Sequence, residues 1–177
     1  MATVQWILDP THSEIQFKVR HLMIANVSGQ FSRYSVDVKT ENEDFMTARV
    51  KFSAEIDSVN TGNEQRDGHL KSPDFFDAAK YPELTFIATK YEKVDNDGSY
   101  ELFGDLTIRN VTKSVKLDVE FGGIIQDPWG NTRAGFSING KINRKDFGLA
   151  WHAVTETGGL VASDEVRIHC NVELFRK

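Results

Sequence analysis

Cysteine is the scarcest residue of this sequence: Cys170 is alone among 177 residues, so the chain cannot form an internal disulfide. Long apolar runs are also missing, and no stretch approaches the roughly 20 residues of a membrane-spanning helix. Basic residues are outnumbered, with 21 Lys and Arg against 26 Asp and Glu, and they are interspersed with acids along the predicted strands. Phosphate binding needs clustered basic residues, so we expect no nucleic-acid partner.

Targeting and linker sequences are lacking as well. The N-terminal Met-Ala-Thr-Val-Gln-Trp has neither the basic nor the apolar region of a signal peptide. We therefore expect a cytoplasmic protein, or a periplasmic one if a leader has been removed. No repeat, low-complexity run or linker interrupts the chain, and its length suits one domain spanning residues 1–177.

Alternation of apolar and polar residues dominates what is present, and this period of two is typical of half-buried β-strands. The clearest runs are Ser13–His21, Ala48–Ile56, Tyr100–Ile108, Val115–Phe121, Ala134–Ile142 and Val166–Leu174, with weaker ones at Val4–Leu8, Phe31–Val38 and Leu84–Tyr91. Turn sequences such as Asn96–Gly98 and Asp127–Asn131 connect runs without the long crossovers of a parallel sheet. The sequence therefore predicts an antiparallel all-β fold of eight or nine strands, the number that closes a small barrel.

One segment, Thr61–Tyr81, departs from this alternation. Asn63 is suited to cap a short helix through Leu70, and Ser72 with Pro73 predicts the start of a second short helix. An excursion of this length between strands is typical of a functional lid. A second irregular stretch, Arg144–Asp164, is a candidate for a loop over the opposite rim or the barrel mouth.

Catalytic and metal-binding patterns are not evident. No two histidines have helical ligand spacing, and none pairs with a nearby cysteine or carboxylate in a metal pattern; the five are His12, His21, His69, His152 and His169. Neither a nucleophile elbow nor a phosphate-binding glycine loop occurs. Cys170 falls on a predicted apolar face, where a thiol is inert. We therefore expect neither an enzyme nor a metal protein.

The inward face of the predicted strands is large and apolar, and 12 phenylalanines contribute to it. A barrel of this size either fills its interior with side chains or holds one small ligand. Alternation alone leaves both open: a filled barrel acting as a structural or protein-interaction module, or a hollow one that binds an apolar molecule.

Several short motifs follow one another along almost the whole chain. They are W-x-x-D-x-x-H-S and F-x-V-x-H within Trp6–His21, V-S-G-Q-F at Val27–Phe31, H-L-K-S-P-D-F-F-D at His69–Asp77, G-D-L-T-I at Gly104–Ile108 and R-K-D-F-G-L at Arg144–Leu149. The segment His69–Asp77 is the most specific of them. In this combination and order, the sequence resembles the YceI family of lipocalin-like bacterial proteins.

The resemblance implies a lipocalin-like, up-and-down, eight-stranded antiparallel β-barrel with a short helical insertion and an elongated apolar tunnel. It implies binding of a long isoprenoid-type ligand, such as a polyprenyl chain, an isoprenoid quinone or a fatty-acid derivative, for storage or transport. Beyond such a lipid we expect no cofactor. Members of the family often form homodimers, so the resemblance also implies a homodimer.

Candidate ligand-binding residues combine the inward positions with the apolar residues of the insertion. The predicted lining is Phe17, Val19, Phe52, Ile56, Leu70, Phe75, Phe76, Phe86, Leu102, Leu106, Leu117, Phe121, Phe136, Ile138, Ile168 and Cys170. The predicted mouth, where polar groups would meet a ligand head group, is His12, His21, Arg66 and His69.

Overall fold

The computed structural model describes residues 2–22, 24–149 and 162–177. Most of these residues belong to strands, as the alternation predicts. The strands are β1 Thr3–Leu8, β2 Glu14–His21, β3 Ala25–Phe31, β4 Tyr34–Glu41, β5 Asp44–Glu55, β6 Val59–Asn60, β7 Glu83–Lys93, β8 Ser99–Ile108, β9 Val111–Gln126, β10 Thr132–Asn143 and β11 Ala162–Arg176. One α-helix, α1, covers Glu64–Lys71.

The strands form a closed antiparallel barrel of eight walls, and walls that follow one another in the sequence are adjacent in space. Three of the eight walls are bent strands made of two segments: β1 continues into β2, β3 into β4, and β5 into β6. The last strand, β11, closes the barrel by pairing with β1 near Leu174 and with β2 near Ile168. The predicted up-and-down eight-stranded barrel with a short helical insertion is confirmed.

The bends account for the main differences from the predicted strand boundaries. The weak run Phe31–Val38 is not one strand, because Ser32 and Arg33 separate β3 from β4. A 3-10 turn at Pro10–His12 likewise separates β1 from β2, and the Asp9 side chain caps it by accepting from the Thr11 amide. The alternation of inward and outward residues begins anew after each turn. Inward residues that have even numbers before a turn can therefore have odd numbers after it.

The insertion after β6 contains one helix rather than two. As predicted, Asn63 caps α1, its Oδ1 accepting from the Arg66 amide at 2.9 Å. Ser72, expected to start a second helix, instead ends the first, and its amide and hydroxyl both donate to the carbonyl of His69. Residues 72–81 then form turns, with Asp77 in the left-handed region at φ 53°.

Aromatic side chains close the barrel at the end opposite the insertion. The rings of Trp6, Phe121 and Phe136 surround Phe45 with centroid distances of 4.8–5.3 Å, and Trp6 donates to the Thr40 hydroxyl at 2.9 Å. Packing of this kind leaves little free volume at this end.

The turns predicted at Asn96–Gly98 and Asp127–Asn131 lie at this same end and are confirmed. Gly98 and Gly130 adopt positive φ angles of 97° and 86° in the β7–β8 and β9–β10 connections, a conformation that favours glycine. None of the helices within the described ranges is long and apolar enough to cross a membrane.

Candidate functional site

The interior of the barrel holds a cavity of about 470 Å³, within the size range of small-molecule sites. It extends from α1 and the β2–β3 turn toward Leu8, Val36 and Val172, just short of the aromatic end cluster. On β11 the lining residues Val166 to Val172 alternate along one face, which corresponds to about 20 Å of strand. The cavity is therefore elongated along the barrel axis.

Two glycines allow aromatic rings to lie flat against the cavity wall. Phe17 on β2 stands opposite Gly29 on β3, and a Cβ atom at position 29 would lie only 2.4 Å from Cζ of Phe17. A Cβ atom at Gly104 would lie 2.3 Å from Cζ of Phe86. Each ring thus occupies the space that a neighbouring side chain would fill, and the centre of the barrel stays open.

Polar lining residues gather at the end of the cavity beside α1, which we call the mouth and define by Arg20, His21, Thr61, Arg66, His69 and Arg144. Arg66 donates from Nε to the Thr61 hydroxyl at 2.8 Å and from Nη2 to the Thr61 carbonyl at 2.7 Å. His69 Nε2 lies 2.9 Å from Asp74 Oδ2, and its ring packs edge-on against Phe75. These contacts hold the two side chains in place at the cavity entrance.

Arg144 is a mouth residue that the predicted site omitted. It is only 4% exposed, and it donates to the carbonyls of Ser163 at 2.9 Å and Leu149 at 2.5 Å. Burial lowers the pKa of its guanidinium, and the Asp164 carboxylate, 3.5 Å away, opposes this change. The motif R-K-D-F-G-L contained this residue, but alternation gave no reason to place a charged side chain in the interior.

Most of the predicted lining residues border the cavity. These are Phe17, Val19, Phe52, Leu70, Phe75, Phe76, Phe86, Leu102, Leu106, Leu117, Ile138, Ile168 and Cys170. Of the predicted mouth residues, His21, Arg66 and His69 border it as well. Their contact with a ligand remains a prediction.

Three predicted lining residues lie elsewhere. Phe121 and Phe136 stack at 5.1 Å in the aromatic end cluster, below the cavity floor. Ile56 begins a 3-10 turn beyond the end of β5 and is packed in the core, only 2% exposed. An inward position on a strand is therefore not sufficient for lining the cavity, because the height of the residue along the barrel axis also counts.

Further lining residues come from inward positions that were not chosen. They include Leu8, Ile15, Val27, Phe31, Tyr34, Val36, Val50, Leu84, Ile108, Val115, Ile142, Leu149, Val166 and Val172. Alternation within single strands could have identified several of them, such as Ile15, Val115 and Val166. Those on β3 and β4 were obscured by the bend at Ser32 and Arg33.

His12, predicted at the mouth, lies instead on the outer wall. The turn Pro10–His12 places its Nδ1 2.8 Å from Asp9 Oδ2, a pairing that the sequence patterns had not indicated. Asp9 Oδ2 also accepts from Arg133 Nη1 at 2.7 Å, and Arg133 contacts Asp127 at 2.6 Å and Glu173 at 3.3 Å. This ionic cluster joins the first turn, the β9–β10 connection and β11.

Among the described residues, Asp9, His12 and Glu173 have the spacing of a potential metal site, with ligand atoms within 4.8 Å of one another. The Arg133 guanidinium already bridges the two carboxylates, so a protein cation supplies the positive charge there. Hydrogen bonds from Thr11 and His12, together with Arg133, hold the pKa of Asp9 far below its usual range. We therefore interpret this cluster as an ion-pair network that stabilises the fold.

Cys170 faces the cavity from the middle of β11. It is buried, and burial raises the pKa of its thiol to about 12. A thiol in this state is a weak nucleophile at neutral pH, and in the cavity it acts as one more small apolar surface.

Comparison with known proteins agrees with this geometry. The YceI-like domain matches residues 6–174. A UPF0312 protein of Staphylococcus aureus is 34% identical over 166 residues, which cover 93% of this chain and 94% of that protein. The crystal structure of a Campylobacter jejuni YceI protein is 40% identical and superposes with a TM-score of 0.77, covering 89% of this chain and 90% of that one.

A more distant structure shares the fold. It is described as a polyisoprenoid binding domain from Saccharophagus degradans, implicated in plant cell wall breakdown. Its identity is 17% and its TM-score 0.69, covering 97% of this chain and 98% of that one. With the family match spanning almost the whole chain, this protein belongs to the YceI-like domain family.

Proposed function

We propose that this protein binds one long apolar ligand of isoprenoid type, such as a polyprenyl chain, an isoprenoid quinone or a fatty-acid derivative, for storage or transport. The observation that carries the proposal is the cavity itself: about 470 Å³, elongated, and apolar along most of its length. Polar lining side chains are concentrated at the mouth, so the site matches a molecule with a long tail and a small polar head.

The energetics favour recognition by burial. Apolar surface removed from water yields roughly 25 cal/mol per Å² before ordering costs, so a chain filling about 20 Å of cavity gains several kcal/mol. The walls formed by residues such as Leu102, Leu106 and Ile138 offer no hydrogen bonds to the tail. Selectivity then depends on tail length and on the head group beside Arg66 and His69.

The fold-level likeness to the polyisoprenoid binding domain of Saccharophagus degradans supports this ligand class. Binding is also favoured over catalysis, since burial raises the pKa of the one thiol that faces the cavity and so makes it a weak nucleophile. A filled barrel that serves only as an interaction module is disfavoured, because its interior would be packed with side chains where the cavity lies.

Native mass spectrometry and solvent extraction of the purified protein test the proposal. We expect a co-purifying lipid of isoprenoid or long-chain type in the native protein. The variant Leu106→Trp, which adds volume to the cavity wall, should carry much less of it. A protein that carries no lipid and takes up none from a mixture of isoprenoid alcohols, quinones and fatty acids would refute the proposal.

A further inference from the structure

The β2–β3 hairpin ends in an exposed apolar tip beside the mouth of the cavity. Ile24 is 84% exposed and Leu22 is 38% exposed, and all three residues between His21 and Ala25 are apolar in sequence. The strands below this tip line the cavity through His21 and Val27. The tip therefore stands where a ligand would enter or leave.

Local structure does not account for apolar residues at this turn. Leu22 has a φ angle of 52°, in the left-handed region that favours glycine, asparagine and aspartate. A leucine there is disfavoured by the backbone, and Ile24 gains little from burial within the chain. An exposed apolar residue in an unfavourable backbone conformation points to a role outside the fold itself.

Basic side chains cover the outer wall below the tip. Lys18 on β2, Arg167 on β11 and Lys141 on β10 stand directly opposite one another in register, and all are exposed. Like charges in such positions destabilise a sheet. Glu165 lies 3.6 Å from Lys141, whereas Lys18, Arg20 and Arg167 make no ion pair within the described ranges.

The β2–β3 hairpin and its flanking residues also carry an excess of positive charge. Residues 15–36 contain Lys18, Arg20 and Arg33 but no aspartate or glutamate, although the whole chain has a net charge of −5. The apolar tip and the basic outer wall are thus combined on one side of the cavity mouth.

From this combination we infer that the mouth end of the barrel docks on an anionic lipid bilayer. Leu22 and Ile24 insert at the boundary between head groups and acyl chains, and Lys18, Arg20 and Arg167 face the anionic head groups. The bilayer is the partner surface from which an apolar ligand is collected or to which it is delivered. This inference adds a partner to the proposed function, and its test does not require a bound ligand.

Co-sedimentation with unilamellar vesicles tests the docking. We expect the purified protein to bind phosphatidylcholine vesicles that contain phosphatidylglycerol, and to bind pure phosphatidylcholine vesicles much less. Leu22→Asn with Ile24→Ser should weaken binding at least ten-fold, since the anchoring apolar area is lost. Asparagine tolerates the left-handed conformation, so the turn is retained.

A second variant isolates the charges. Lys18→Gln with Arg167→Gln should weaken binding to the anionic vesicles roughly ten-fold or more, since each basic residue near the surface contributes substantially. Added salt should weaken native binding in the same direction. The matched controls are Val94→Ser, an exposed apolar residue at the opposite end of the barrel, and Lys51→Gln with Lys93→Gln.

Three results would overturn the inference. One is a native protein that does not bind the anionic vesicles, and another is equal binding by the tip variant and the Val94→Ser control. The third is a tip variant that is monomeric in size-exclusion chromatography where the native protein is dimeric, with vesicle binding by neither protein. That result would assign the tip to an interface with a second copy of the chain. A protein that docks but carries no lipid would refute the proposed function and leave the docking intact.

Discussion

Single residues decide whether the barrel interior is open. Phe17 and Phe86 are large enough to fill a narrow barrel, yet each ring rests on a glycine of the adjacent strand. The glycine and the aromatic residue act as a pair, and neither has this effect alone. The volume of the cavity is thus set by where side chains are absent as much as by where they are large.

Gly29→Ala tests this pairing. The added Cβ atom would displace the Phe17 ring toward the cavity centre, because it would otherwise lie 2.4 Å from Cζ. We expect affinity for an isoprenoid alcohol to fall about ten-fold, equivalent to roughly 1.4 kcal/mol, as measured by fluorescence competition. Adding Phe17→Leu should restore binding.

Gly135→Ala is the matched control, since a Cβ atom at that strand position meets no atom within 4 Å. If Gly29→Ala lowers the melting temperature but leaves affinity unchanged, the flat ring is a packing feature and does not set the cavity volume.

Among the elements, the insertion between β6 and β7 lies at the cavity entrance and contributes Arg66, His69 and Leu70 to the lining. Its helix α1 has no buried residue, so its attachment depends on Leu70 and the turns that follow. The Phe76 amide donates to the Leu70 carbonyl at 3.0 Å, and the Phe76 ring contacts the buried ring of Phe31 at 6.2 Å. A few apolar contacts therefore hold the insertion over the cavity.

We expect Phe75→Ala with Phe76→Ala to speed ligand release several-fold, because changes in affinity appear mainly in the dissociation rate. Stopped-flow transfer of a fluorescent fatty acid to acceptor vesicles measures this rate. Phe103→Ala, a half-buried phenylalanine that packs under Lys90, serves as the control. If the double variant releases ligand at the native rate but dissociates from dimer to monomer, the two rings belong to a subunit interface.

The ionic cluster of Asp9, Asp127, Arg133 and Glu173 links three other elements. Hydrogen bonding to Arg133 lowers the pKa of Asp127 to about 2 from 3.8, and the pKa of Asp9 is lower still. A carboxylate with a lowered pKa stabilises the fold above its unfolded pKa, and the contribution is lost as pH falls through the folded value.

Arg133→Gln should therefore lower the melting temperature most above pH 4, and the difference from the native protein should shrink toward pH 2. Arg33→Gln breaks the exposed pair with Glu55 and should have a smaller effect, as is usual for surface ion pairs. Differential scanning calorimetry at several pH values measures both. A constant difference between native protein and Arg133→Gln from pH 7 to 2 would contradict this assignment.

At the scale of the whole molecule, the barrel has a packed end and a hollow end. The aromatic cluster around Phe45 fills one end, whereas at the other end buried residues such as Ile56, Val59 and Phe147 surround an open cavity. A ligand that fills the cavity should then stabilise the entire fold, since binding to the native state alone shifts the unfolding equilibrium.

We expect a ligand at about 100 times its dissociation constant to raise the melting temperature by about 5–10 °C. Leu106→Trp, which adds volume to the cavity wall, should abolish this rise. Phe136→Trp, in the closed end, should lower stability by overpacking, by roughly 1–3 kcal/mol, yet keep the rise. Thermal melts with and without geranylgeraniol distinguish the two; the same loss of response in both variants would mean that the cavity extends into the aromatic cluster.

The sequence by itself determined the class of fold, most of the strands and the majority of the inward side chains, because alternation is a local property of each strand. The specific motif His69–Asp77 also indicated the insertion and the family. Within α1, the capping role of Asn63 followed from its residue type alone.

Only the tertiary structure decided which inward residues meet the cavity, because height along the barrel depends on bends and register between distant strands. Phe136 and Ile138 are two residues apart on one face, yet one belongs to the closed end and the other to the cavity wall. Closure also placed Arg144 inside, turned His12 outside, and brought Lys18, Arg167 and Lys141 together from three strands. These arrangements arise from pairing between residues far apart in the chain, which no local pattern encodes.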